Sequence, residues 1–440
     1  MRVLAWILLA CCAACGRTDG RPNVLVLVAD SLAAGHVSSH GYERPTTPNF
    51  DAFAAAGVRF SNAGAAAAWT LPSVASLFTS QPQEVHGARD DELRLSGELP
   101  TLAERLRNAG FETHAVVQTP VLGRRTGVDR GFERYDVLDF SLASFERALE
   151  LARSAFGSSS APRFVYVHVA PPHMPYQPPA PYRGRFSAES ESLAHVDGSI
   201  ESARAVHRAR LAPDHPDVVR LRALYDEHIT FVDARLGELV RSLQAQANER
   251  PLLIVWTSDH GEAFMEHGEQ GHNSSVYEEM LHVPLAIAGT GLRARVEPAP
   301  VSLLDVAPTL LELCDAPALP RAEGQSLAPL LRAESFDLQR TLVASSRHYE
   351  GKPERWQVAV RSGRFKLHAW PGLGRAELRD LDADPDERAD CSAEHPDVRA
   401  RLQRELERLQ AAFVASTERR ELSESERRTL RELGYADDGR

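Results

Sequence analysis

Asn23–Ala29 (NVLVLVA) is an unbroken apolar run that stops at Asp30, and comparable runs recur at Glu112–Val117, Arg163–Val169, Leu252–Thr257 and Val283–Ala288. A strand with one wet face alternates apolar and polar residues. A run without alternation is buried on both faces, as strands of a parallel sheet are. Helical patterns such as Thr101–Asn108 and Pro216–Gln246 separate these runs. The chain is therefore expected to be α/β, with helices on both faces of a wide, mostly parallel sheet. Past Gln339 the texture changes to short strands at Arg340–Ser345, Trp356–Val360, Phe365–Ala369 and Ala376–Arg379, followed by an amphipathic helix, Pro396–Phe413. That pattern predicts a small antiparallel sheet with a covering helix. The expected division is a main α/β unit over 22–339, a smaller unit over 340–413 and a charged terminal helix or tail over 414–440.

The 440 residues carry 50 Lys+Arg against 61 Asp+Glu, a formal charge of −11 with no basic block. Nucleic-acid binding needs Lys and Arg to neutralise phosphates, so a nucleic-acid partner is excluded. Lys352 and Lys366 are the two lysines among those basic residues. Residues 1–15 (MRVLAWILLACCAAC) have the basic start and short apolar run of an export signal. The small residues before Cys11 and before Cys15 resemble a lipoprotein cleavage and acylation box, with the choice between the two open. A plain signal peptide is the alternative; either way the protein is expected in the periplasm or cell envelope. Cys314 and Cys391 are the later cysteines, and an oxidising compartment allows a disulfide between them without demanding one.

Asp30 directly follows the first buried run, and Asp259-His260 follow another (PLLIVWTSDHGE). In open α/β sheets ligands gather outside the carboxyl ends of strands, so these side chains can converge on one crevice. Two carboxylates and an imidazole suit a divalent metal, although an aspartate after a strand also serves as a turn or helix cap. Thr70 stands in AWTLPS ahead of the helical VASLFTS, with Pro72 in the first turn. It is thus at or next to the N-cap, either capping the helix or offering its hydroxyl where the helix end attracts an oxyanion. A threonine hydroxyl needs a base or a metal to become a nucleophile, which Asp30, Asp259 and His260 would supply by holding the metal. His173 follows a strand in VAPPHMPY, and His267 and His272 lie in HGEQGH. A lone histidine there is often structural, but His173, again at the carboxyl end of the sheet, could bind substrate oxygens or protonate a leaving group.

The order NVLVLVADS, RPTTPNFDAFAAAGVRFSNA, WTLPSVASLFTS, VHVAPPHMPY, TSDHGE with GHNSSVYEEMLHVPLAI, VSLLDVAPTLLEL and FKLHAW resembles the sulfatase family of the alkaline phosphatase superfamily over roughly residues 22 to 412. The resemblance implies an alkaline-phosphatase-like α/β/α sandwich and hydrolysis of sulfate or phosphate esters through a covalent intermediate on a metal-bound nucleophile. It places the metal ligands on Asp30, Thr70, Asp259 and His260, with Ser31 where sulfatases usually carry a second aspartate. The nucleophile signature C/S-x-P-x-R falls on Thr70-Leu71-Pro72-Ser73-Val74. Threonine is not a substrate for oxidation to formylglycine, so no formylglycine is expected, and Val74 replaces the signature arginine. His272 stands where relatives carry a lysine, and the lysine expected near Val117-Gln118 is missing too.

These departures resemble the threonine-nucleophile branch of the superfamily. The expected function is an exported hydrolase of phosphate or phosphonate (di)esters or sulfate esters, with catalytic Thr70, His173 and His272 and one divalent metal, Mn, Ca or Zn. A second metal has His267 or His228 as candidates without a matching motif. The substrate is expected to be a small-molecule, glycan or lipid ester, and the membrane is met through an N-terminal lipid anchor alone. The alternatives are a sulfatase using threonine directly and a non-catalytic binding lipoprotein on the same fold. Lacking the usual cations, the site is expected to hold its ester with metal and histidine.

Overall fold

Successive residues of a strand point to opposite faces, and in this chain both sets are apolar. The computed structural model describes residues 20–413 apart from 91, 158, 188–190, 247–249, 290, 338–339 and 349–351, together with scattered residues between 419 and 430. The segment 1–15 with Cys11 and Cys15, and most of the tail over 414–440, lie outside the described residues. Along β1 (Asn23–Ala29), Val24, Val26 and Val28 enter one core while Leu25, Leu27 and Ala29 enter the other. The first core also takes the helices Thr70–Thr79 and Val306–Leu313. The second takes Leu142–Ala155 and the long helix Pro216–Gln246. Two apolar faces on every central strand thus become a three-layer α/β/α sandwich.

The other strands of this sheet are β2 (Val58–Gly64), β3 (Glu112–Val117), β4 (Arg134–Val137), β5 (Arg163–Val169) and β6 (Leu252–Thr257). After a short ribbon of β7 (Ala263–Phe264) and β8 (Gln270–Gly271) come β9 (His282–Gly289), β10 (Arg295–Glu297) and β11 (Val301–Ser302). The order is β10-β2-β9-β6-β1-β5-β3-β4, with β11 also on β2. Strand β9 runs antiparallel between β2 and β6, and the other pairings are parallel. β1 lies between β5 and β6, so the carboxyl ends of these three strands adjoin.

The smaller sheet is antiparallel in the order β12 (Leu342–Ser345), β13 (Val358–Ser362), β14 (Phe365–Trp370) and β15 (Arg375–Asp380). The helix Pro396–Ala411 lays Leu402, Leu406 and Leu409 on it, the one-face spacing of an amphipathic helix. Its core also takes in Ala66 and Leu304 of the larger unit. Cys314 and Cys391 are both free, Cys314 in the large core and Cys391 against the small one. Among the described residues no helix is long and apolar enough to cross a membrane.

Candidate active site

β1, β5 and β6 deliver their next residues to one place. Asp30 continues the β1 ladder, its N–H donating to the Val169 carbonyl at 3.0 Å. Asp259 and His260 stand just past the end of β6. Asp30, Asp259 and His260 are all buried, each with a ligand atom within 4.8 Å of the others'. His260 Nε2 is 3.6 Å from Asp30 Oδ1 and 3.5 Å from Asp259 Oδ2. Its Nδ1 lies 2.9 Å from the Gly261 carbonyl, a bond that makes Nδ1 the protonated nitrogen and leaves Nε2 as a ligand atom. Asp259 Oδ2 is buried without a hydrogen-bond partner. An orphaned carboxylate oxygen beside a second carboxylate and an imidazole is the donor set a divalent cation takes, so these residues fit the metal.

Ser31 holds both carboxylates. Its Oγ donates to Asp30 Oδ1 at 3.0 Å and its backbone N–H to Asp259 Oδ1 at 3.1 Å. This requires a left-handed backbone, φ 63°, which a non-glycine residue adopts rarely. Tyr225 braces the turn by donating to the Ser31 carbonyl at 2.6 Å. Where relatives carry another acid, this chain thus carries a support for the two it has.

Thr70 is the first residue of its helix and Trp69 is the N-cap, with no side-chain cap bond. Thr70 is therefore not the N-cap, and its Oγ1 lies 3.3 Å from His260 Nε2. Ser73, one turn on, donates to the Asp259 carbonyl at 2.6 Å and ties the helix to the β6 loop. The preceding small residues let three segments converge. Ala68 N–H donates to the Ser345 carbonyl at 3.1 Å, Ser345 N–H to the Ala66 carbonyl at 3.1 Å, and Asn273 N–H to the Ala68 carbonyl at 2.8 Å. Val74, in place of the signature arginine, is core.

His272 and His173 complete the cluster. The His272 ring is 4.5 Å from His260 and 4.9 Å from His173, centroid to centroid. His272 Nδ1 lies 3.2 Å from Glu262 Oε1, and His173 Nδ1 2.5 Å from the Met174 carbonyl. Burial, then the neighbouring His260, push His272 down to about 3. Burial also lowers His173 and raises Glu262 to about 7. For Asp30 burial opposes ionisation, but His173, His168 and His260 outweigh it and hold the carboxyl well below its usual range.

His168, Glu262 and Arg347 are absent from the sequence-derived set. His168 sits inside β5, its Nε2 3.2 Å from Asp30 Oδ2 and its Nδ1 3.0 Å from the Tyr166 hydroxyl. A histidine at an inward position of an otherwise apolar strand was the available signal. Neither candidate for a second metal joins the centre. His267 is stacked on Tyr277 and placed between Glu279 and the Asp386 carbonyl, while His228 stacks on Phe231. Among the described residues, the acid–histidine group able to hold a metal is Asp30, Asp259 and His260. A buried arginine also stands beside this cluster. Arg347, buried at 5% exposure, lies with its guanidinium carbon 5.0 Å over the Trp69 ring, and its charge reaches His272.

A wide sheet sandwiched by helices, with buried acids and histidines at its carboxyl edge and a smaller antiparallel sheet beyond, defines the alkaline-phosphatase-like class. Residues 22–316 match the sulfatase family, and 266–412 match the C-terminal part of N-sulphoglucosamine sulphohydrolase. The chain belongs to the sulfatase family of the alkaline phosphatase superfamily. Mouse arylsulfatase K is 31% identical over 198 residues, 43% of this chain and 36% of that protein, so the chain spans little more than a third of this relative's length. Choline-sulfatase of Rhizobium meliloti is 26% identical over 427 residues, 84% of this chain and 82% of that protein. The crystal structure of a phosphonate monoester hydrolase of Agrobacterium radiobacter superposes with a TM-score of 0.70 at 23% identity, covering 90% of this chain and 96% of that one.

Proposed function

We propose that the protein is an exported, metal-dependent ester hydrolase that transfers a phosphoryl, phosphonyl or sulfuryl group to Thr70 and then to water. Asp30, Asp259 and His260 would hold the divalent cation, Mn, Ca or Zn, with Thr70 Oγ beside it. When bound, the cation lowers the pKa of the hydroxyl and offsets negative charge on the ester. Thr70 Oγ then forms a bond to the phosphorus or sulfur in line with the departing alcohol oxygen, whose bond breaks. His272, paired through Nδ1 with Glu262, relays to that oxygen the proton that the buried Glu262 carboxyl retains near neutrality, with His173 beside it. A water attacks the threonine ester from the vacated side and restores the hydroxyl. Hydrogen bonds from fixed groups to the equatorial oxygens carry most of the acceleration, since this kind of transfer asks little covalent work of the protein.

The observation that carries the proposal is Thr70 Oγ1 at 3.3 Å from His260 Nε2, on a helix N-terminus and beside the metal-competent group. Thr70→Ala should abolish turnover of nitrophenyl esters while the purified protein retains its metal. An active alanine variant sinks the assignment.

A second reading, that sulfate esters are the substrates and threonine attacks sulfur directly, is favoured by the relatives named arylsulfatase K and choline-sulfatase. Matched nitrophenyl sulfate and nitrophenyl phosphodiester separate the two; turnover of the sulfate alone decides for the second. The export part of the proposal rests on the segment 1–15 and places a lipid on Cys11 or Cys15. Mass spectrometry of the mature N-terminus tests it: an unprocessed N-terminus overturns export, and a processed one without lipid overturns the anchor alone.

A further inference from the structure

On the family resemblance the signature arginine is Val74 here, His272 stands where relatives carry a lysine, and the lysine expected near Val117-Gln118 is missing. One of the chain's own lysines, Lys366, is occupied elsewhere, 2.8 Å from Glu278 and 2.6 Å from Glu387. The smaller sheet offers a different cation. Arg347 comes two residues after β12, whose pairing with Ala66–Ala68 carries it to the site. Its backbone N–H donates to the Asn273 carbonyl at 2.9 Å, next to His272 in the chain. Its guanidinium lies over Trp69, next to Thr70. Asp90 accepts from Nη2 at 2.9 Å. The group is thus braced between the two segments that carry Thr70 and His272. The guanidinium is thus held by a cation–π contact with Trp69 and an ion pair with Asp90, and its planar fork of donors is the kind that recognises tetrahedral oxyanions.

On the ester-hydrolase reading of this site, we propose that Arg347 binds a non-bridging oxygen of the transferred group, taking over from the missing arginine and lysines. Its contribution grows with the negative charge on that group. A dianionic phosphate monoester therefore depends on Arg347 more than a monoanionic sulfate ester with the same leaving alcohol.

The test uses the full-length, metal-loaded protein with nitrophenyl phosphate and nitrophenyl sulfate, and inorganic phosphate and sulfate as competitive inhibitors. Arg347→Ala should lower kcat/KM for the phosphate monoester by about 100-fold, the loss expected for one oxyanion donor. The fall should be about tenfold smaller for the sulfate, and inhibition by inorganic phosphate should weaken more than inhibition by sulfate. Arg347→Lys should restore part of the phosphate turnover, because it returns the charge without the planar fork. Melting temperatures and metal content are measured on each variant, and the lysine variant carries the charge test if alanine does not fold. Equal losses on both esters, or unchanged inhibition by phosphate, overturn the role of Arg347 and leave the hydrolase reading standing. A wild-type protein that turns over no ester overturns both.

Discussion

The two sheets contribute to the site by different routes. Parallel strands all end on one side, so residues that follow β1, β5 and β6 meet without further arrangement, and Asp30, His173, Asp259 and His260 arrive this way. An antiparallel sheet has no such common edge. The smaller sheet reaches the site through one margin, where β12 bonds to the segment Ala66–Ala68 just before Thr70 and then leads into Arg347. It is joined there by polar side chains: Ser345 Oγ donates to Glu84 Oε1, and Gln83 Nε2 to the Ser346 carbonyl at 2.7 Å. The large sheet thus assembles the reacting groups. The small one fixes the strand that feeds the nucleophile.

Lys366 is a buried charged link between the two and the place to break it. It is 1% exposed on β14, bonded to the Val276 carbonyl at 2.9 Å and held by Glu278 and Glu387. Lys366→Met leaves buried Glu387 facing half-buried Glu278 without a cation between them and should cost about 3 kcal/mol. The small unit is then expected to melt first, as a separate calorimetric transition, whereas a single unshifted transition would show that the link contributes nothing. The same cluster gives an acid signature. Burial disfavours ionised Glu278, but Lys366 and Arg361 outweigh it and hold its pKa at about 2 against an ordinary 4.5. A carboxylate with a depressed folded pKa stabilises fully above pH 4.5 and loses that contribution as pH falls through 2. The wild-type melting temperature should fall over that window more steeply than that of Lys366→Met.

On the large-sheet side, His168 supports Asp30 from within β5. His168→Gln should weaken metal binding by about 10–100-fold, as loss of a ligand's hydrogen-bonding support does, and calorimetric metal binding measures it. Unchanged affinity would remove His168 from the support of the site. The smallest effect is expected at the capping box of Leu102–Asn108, where Thr101 Oγ1 accepts from Glu104 N–H and Glu104 Oε2 from Thr101 N–H. Thr101→Ala should cost about 1–2 kcal/mol and shift the large unit's melting alone. A change in kcat/KM there would mean that stability and site are coupled more widely than the two-sheet contrast allows.

Much of this was legible in the residues. The apolar runs mark β1, β3, β5, β6 and β9 because a doubly buried strand tolerates nothing else. Strand β2 is less visible, since its inward Val58 and Phe60 are followed by a register shift before Ala63. Asp30, Thr70, Asp259 and His260 announce themselves by standing just past a strand or at a helix start. His168 hides within a strand and Glu262 follows an already conspicuous Asp-His pair. Arg347 lies 277 positions from Thr70 in a stretch with no motif of its own.

The sequence by itself determined the layered fold, the family and the chemical types at the strand ends, because burial pattern and local turn chemistry are written in neighbouring residues. Tertiary structure decided that Ser31 orients both carboxylates, that Thr70 brings its hydroxyl to His260, and that a second sheet brings Arg347 beside Trp69. Those outcomes depend on contacts between segments far apart in the chain, and only packing brings such segments within hydrogen-bond reach.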